Sequence, residues 1–94
     1  MIGGFRLALF LPSLAGGGAE RMLVHLARGL SERGVAVDLV LAHAVGPYLA
    51  QVPADVRVID LAAPRVLAAL PGLAQYIRRR RPDALLSALD HANL

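Results

Sequence analysis

The sequence contains no cysteine, which excludes a disulfide scaffold and any thiolate metal site. It also contains no lysine, so all ten basic residues are arginines. That rules out a phosphate-binding loop of the Gly-Lys-Ser/Thr type, whose lysine reaches the outer phosphates. Aromatic residues are limited to Phe5, Phe10, Tyr48 and Tyr76, too scattered to stack successive nucleic-acid bases. No apolar run reaches the ~18 residues that a membrane span requires. Leu7 to Leu14 is broken by Pro12 and Ser13, and glycines follow soon after. A signal peptide is rejected too, because only Arg6 precedes the run and strand-like order continues far beyond it. His25, His43 and His91 are scattered and do not make a metal set, and no cofactor is called for.

The chain has 94 residues, 56% of them hydrophobic and 18% charged. Those numbers describe one small domain, able to bury only about 60–65% of its unfolded surface. The formal charge of +3 is local, since four arginines sit together at Arg78–Arg81. The simplest reading of that run is a solvated helix end, where cations complement the negative pole of the helix dipole. Contact with anionic lipid heads is the alternative. The absence of cysteine and of a span places the chain in the cytoplasm, extending to the inner face of the membrane.

The stretch that organises the rest is Phe5–Met22. Phe5–Leu11 reads as a buried central strand, followed by a loop with Gly16, Gly17 and Gly18 and then a helix from about Ala19 to Arg33. Unpaired N–H groups of a first helical turn, with roughly half a positive charge from the dipole, favour an anion. Glycine lets a phosphate or sugar approach the backbone, although three glycines also suit a plain loop. A helical wheel puts Ala19, Met22, Leu23, Leu26, Gly29 and Leu30 on one face, Gly29 allowing close approach to the sheet. Gly34 is the stop signal.

Val35–Ala42 reads as a second strand, Tyr48–Val52 as one short turn and Val56–Leu61 as a third strand. Pro64 opens a helical region that Pro71 divides into Arg65–Leu70 and Pro71–Arg80. Leu70, Leu73 and Ile77 are expected to face inward. Ala84–Leu89 is the fourth strand. Alternating strands and helices give an α/β fold with a parallel sheet and right-handed crossovers. The expected strand order is 3-2-1-4, half of a doubly wound, Rossmann-like sheet. Because such a sheet continues for several more strands, the chain reads as a fragment.

Ligands of open α/β sheets bind beyond the carboxyl ends of the strands, where the winding reverses. Here that is the crevice between strands one and four. Pro12–Gly18 would line it from one side and Asp90, His91 and Asn93 from the other, with His43 at the edge. Asp90 and His91 offer a base, an orienter or a sugar-hydroxyl ligand, while Asp90 and Asn93 equally suit capping of a following helix. Glu20 offers a hydrogen bond to a ligand, or simply sits well in a positive first turn. Arg21 looks solvated. A dinucleotide fingerprint fails, because Arg21 occupies the third position after Gly18, and Asp38 lies in mid-strand.

The ordered set of features resembles a known family. It comprises Gly16-Gly17-Gly18-Ala19-Glu20-Arg21 after a strand, Leu30-Ser31-Glu32-Arg33-Gly34 before Val35-x-Val37, Gly46-Pro47-Tyr48-Leu49, Val56–Leu61, and Arg81-Pro82-Asp83 before strand four. Together they look like the start of a family 4 retaining glycosyltransferase of the GT-B fold, over essentially the whole chain. The resemblance implies a two-domain enzyme that moves a sugar from a nucleotide-diphosphate donor to a sugar or lipid-linked acceptor, retaining anomeric configuration. Residues 1–94 would be an incomplete, acceptor-side N-terminal domain, inactive alone, with the C-terminal donor-binding domain missing. Gly16–Gly18 would approach the acceptor and the donor diphosphate. The family's catalytic histidine lies on a later strand and is not assigned to His91. A different class, a noncatalytic Rossmann-like module binding an anion or a protein, fits the same composition.

Overall fold

The apolar run after Phe5 forms β1, Arg6–Leu11, whose last four residues are all buried. Full burial on both faces requires neighbours on both edges and layers above and below. β1 pairs with β2 (Ala36–Leu41) on one side and with β4 (Ala84–Ser87) on the other, while β3 (Arg57–Asp60) pairs with the far edge of β2. Every pairing is parallel and the order is β3-β2-β1-β4. The fold is therefore the expected α/β, Rossmann-like half sheet. The structure, a computed structural model, describes residues 5–14 and 18–87. The expected extension of the fourth strand to Leu89 lies outside them.

Side chains alternate between the two faces of a strand, and each face is covered by one helix. Leu9, Leu11, Val37, Leu39 and Leu41 pack with Leu23, Val24 and Ala27 of α1, Gly18–Glu32. Ala8, Phe10 and Val40 pack with Val66, Ala69, Leu73 and Tyr76 of α2, Val66–Arg80. The link from β2 to β3 is a 3₁₀ turn, Pro47–Gln51, whose Leu49 joins Val52 against the α1-side core. Gly46 begins that turn at φ 121°, a conformation open to glycine and costly for a side chain. The Arg28 guanidinium donates to the Gln51 carbonyl at 2.9 Å and ties α1 to the turn.

Three expectations about the helices are corrected. The buried stripe of α1 is Leu23, Val24 and Ala27, while Met22 is 64% exposed and Leu26 39%. The residue that brings α1 close to the sheet is Ala27, since a side chain at Gly29 would meet open space. Second, residues 66–80 form one helix, and Pro71 does not divide it. Proline there removes only the bond to the Leu67 carbonyl, on a side where Leu67 is exposed and water can replace it. The apolar stripe Val66, Ala69, Leu73 and Tyr76 holds both halves of the helix to the same face. Third, Leu73 faces inward as expected, but Leu70 and Ile77 are 45% and 38% exposed.

Helix ends follow the local sequence. Gly34 adopts φ 88°, its N–H donates to Ser31, and the Val35 N–H reaches back to Leu30. This is a Schellman motif, with buried Val35 as its apolar closure. α2 ends where Arg81 turns left-handed and donates its N–H to Ile77, before Pro82.

Polar pins hold the amino end of the sheet. The Asp83 carboxylate accepts the Arg6 N–H at 2.7 Å, and the Asp83 N–H donates to the Arg6 carbonyl at 2.8 Å. Asp38, 4% exposed, accepts the Tyr76 hydroxyl at 2.7 Å, with the Arg6 guanidinium 3.8 Å away. Burial, and next the hydrogen bond to Asp38, push the Tyr76 hydroxyl pKa above its ordinary value of 10.

Candidate functional site

Parallel strands deliver the loops that follow them to one end of the sheet, and in this protein those loops are stitched together. The Pro12 carbonyl accepts the His43 N–H at 3.0 Å, and the Leu14 N–H donates to Val45 at 2.9 Å. The Ala63 N–H donates to the Ala42 carbonyl at 2.7 Å. Asp60, at the end of β3, accepts the N–H of Ala44 at 3.1 Å and that of Ala62 at 2.8 Å through one carboxylate oxygen. Ala62 sits at φ 53°, a left-handed conformation that costs a non-glycine residue about 1 kcal/mol. The Asp60 carboxylate stabilises that turn, which swings the chain from β3 into Pro64, Arg65 and α2.

The stitching leaves a cavity of about 280 Å³ at the carboxyl end of the sheet. Pro12 and Ser13 line it from the β1 loop, Ala42, His43 and Val45 from the β2 loop, and Pro64 and Arg65 from the approach to α2. Among the described residues its wall carries an imidazole, a guanidinium and a hydroxyl, and no carboxylate. Among the described residues no hydrogen bond or ion pair engages the side chains of His43 or Arg65, whereas Ser13 has an interaction of its own. Arg65 is the N-cap residue of α2, and its side chain makes no capping bond. A pocket built this way can receive a polar, negatively charged group.

The residues expected from sequence fall around this pocket unevenly. Gly18 opens α1, and Glu20 is half-buried in its first turn. Gly16, Gly17, Asp90, His91 and Asn93 lie outside the described residues. β1 and β4 are adjacent and parallel, with Phe10 opposite Ser87, so both strands point toward the same end of the sheet. His43, expected at the edge of a crevice, lines the cavity. Arg65 was not singled out by the sequence. The signal was its place directly after Pro64, between the end of a strand and the start of a helix.

A second cavity, of about 230 Å³, lies on the α2 flank of β3 between Ile59, Leu61, Gly72, Gln75, Tyr76, Arg79 and Arg80. Its Tyr76 hydroxyl is already committed to Asp38. Among the described residues no group of three acidic, histidine or cysteine side chains stands ready for a metal ion. No helix among them is long and apolar enough to cross a membrane.

A family model described as Glycosyltransferase Family 4 matches residues 16–94. No curated protein and no solved structure matches the chain.

Proposed function

From a chain that belongs to glycosyltransferase family 4, we infer an enzyme that transfers a sugar from a nucleotide-diphosphate donor to an acceptor with retention of configuration. This chain is its acceptor side. The observation that carries the reading is the open cavity at the carboxyl end of a β3-β2-β1-β4 sheet, most of whose lining residues fall within residues 16–94, the span that matches the family. Carboxyl ends are where open α/β sheets hold their ligands.

In this reading Gly16, Gly17 and Gly18 bring bare backbone to the acceptor and the donor diphosphate. Glu20, Asp90, His91 and Asn93 supply hydrogen bonds to sugar hydroxyls. A second α/β domain supplies the donor pocket, so residues 1–94 do not turn over alone. The acceptor is a sugar or a lipid-linked molecule reached from the cytoplasm, with peripheral contact to the inner membrane face.

The test is incubation with a panel of nucleotide-diphosphate sugars and sugar acceptors, read by proton NMR for the anomeric configuration of any product. The 94-residue chain should give no product, and a chain extended by a second α/β domain should give a retained glycoside. An inverted product, or none from the extended chain, would sink the reading.

A further inference from the structure

β3 is an edge strand, paired with β2 on one side and, among the described residues, with no strand on the other. Just past its end the Leu61 N–H donates to the Leu41 carbonyl. Backbone groups of successive strand residues point to opposite sides, so Val58 and Asp60 present theirs to the open edge. Side chains alternate between faces in the same way. Arg57 pairs with Asp38 and Ile59 with Val40, and Asp38 and Val40 meet Tyr76 and the apolar stripe of α2. Arg57, Ile59 and Leu61 therefore share the face that α2 covers.

That face is graded along the strand. As a crossover between parallel strands α2 runs back along β3, and its last turn brings Arg79 and Arg80 to the end where Arg57 stands. Toward the other end Gly72 has no side chain, and the cavity of about 230 Å³ opens over Ile59 and Leu61. A Cβ at Gly72 would stand 3.3 Å from the Leu61 side chain, so this glycine sets how closely the helix approaches the strand. The volume is below the roughly 300 Å³ at which pockets begin to enclose whole small molecules. It suits one side chain of a longer ligand. Among the described residues no carboxylate engages Arg57, Arg79 or Arg80.

Together these features select an occupant. An open strand edge binds an extended chain through main-chain hydrogen bonds, and a pocket beside it reads alternate side chains. The three guanidiniums favour carboxylates. A second copy of β3 would bring only Asp60, which already accepts the Ala44 and Ala62 N–H groups. A lipid surface would need the arginine run to act as one patch. Successive helical residues lie about 100° apart, and of Arg78–Arg81 only Arg79 and Arg80 line the cavity.

We propose that β3 receives, as an added strand, an extended segment of a partner protein that carries an aliphatic side chain two residues from an acidic one. The aliphatic group enters the cavity over Ile59 and Leu61, and the carboxylate meets Arg57, Arg79 and Arg80. Sugar transfer plays no part in this docking, which stands or falls apart from the transferase reading.

The probe is a fluorescein-labelled peptide, Thr-Glu-Thr-Leu-Thr-Glu-Thr, with leucine and both glutamates on one face and the same order in either direction. Binding to the protein is read by fluorescence anisotropy. The peptide should bind at low salt and weaken as salt is raised. Exchange of its glutamates for glutamine, or of its leucine for glycine, should weaken it as well. The double variant Arg79→Gln, Arg80→Gln should lose about fivefold in affinity, the scale of two exposed ion pairs. Arg78→Gln, outside the cavity, should change nothing. N-methylation of alternate peptide residues blocks one edge of the added strand at a time. One methylated set should abolish binding and the other should leave it.

Equal binding of both N-methylated peptides would exclude strand pairing and overturn the proposal. So would an affinity unchanged in Arg79→Gln, Arg80→Gln. Capture by phosphatidylglycerol vesicles without peptide binding, weakened alike by Arg78→Gln and Arg79→Gln, would give the arginines to a membrane instead. Self-association that excludes the peptide, read by sedimentation, would give the edge to a second copy.

Discussion

At the amino end of the sheet Asp38, Tyr76, Arg6 and Asp83 direct their polar atoms at one another, whereas at the carboxyl end His43 and Arg65 turn theirs toward a cavity. The loops of the carboxyl end are held by backbone bonds and by Asp60, which leaves side chains in the wall available. The two ends also differ in what they can lose. A buried carboxylate such as Asp38 persists among apolar neighbours only while it is hydrogen-bonded. An exposed His43 or Arg65 is solvated whether or not a ligand is present. Among the described residues, polar side chains bond one another at one end, and His43 and Arg65 stand unengaged at the other.

The sharpest way to break that contrast is at Asp38. Asp38→Ala leaves the Tyr76 hydroxyl buried without its acceptor and should cost about 2–3 kcal/mol in urea unfolding. Tyr76→Phe strands the carboxylate at a similar cost, and the double variant should lose clearly less than the two together. Additive losses would show that the pair is not a unit.

The same hydroxyl predicts an alkaline limit. Its folded pKa is raised above 10, so the unfolded chain releases the proton first. The stabilisation is fully present below about pH 10 and declines as pH climbs beyond it. Tyr76→Phe should flatten that decline in denaturant midpoints measured across alkaline pH. A decline of the same steepness in Tyr76→Phe would assign it to other groups.

Asp83→Ala removes one bond between the starts of β4 and β1 and should cost about 1 kcal/mol, read as a lower melting temperature. At the carboxyl end the sign reverses. Ala62→Gly relieves the left-handed conformation and should stabilise by roughly 0.5–1 kcal/mol. Loss of stability there would mean that the Ala62 methyl group packs more than it strains. Smallest of all, Arg65→Gln and His43→Gln should each stay within about 0.5 kcal/mol of the parent. A large loss from either would make the carboxyl end structural as well.

Much of this was legible in the residues. Period and punctuation specified four strands, two helical regions and their order, because fully buried strands read as plain apolar runs bounded by Pro and Gly. Which helical residues face the sheet was less legible. A wheel weights large apolar residues such as Met22 and Leu26, yet α1 presses Ala27 to the sheet, and close approach favours small side chains. Pro71 signals a break locally, but tertiary burial on both sides of it keeps α2 whole. His43 was visible as an edge residue because it follows a strand. Arg65 was hidden because an arginine after a proline looks like any solvated helix start until β2 and β3 bring their loops together.

The Arg6–Asp83 pin joins positions 77 apart in sequence. β1 is one of the two inner strands of the sheet, yet of its neighbours only β2 is near enough in the chain to pair with it early. Pairings between distant segments form slowly, after the entropy of closing the intervening loop has been overcome. A ribosome making this protein releases β1 first and its other neighbour, β4, far later. During that interval one flank of the strand stands open to foreign chains, and its protection is a matter of timing.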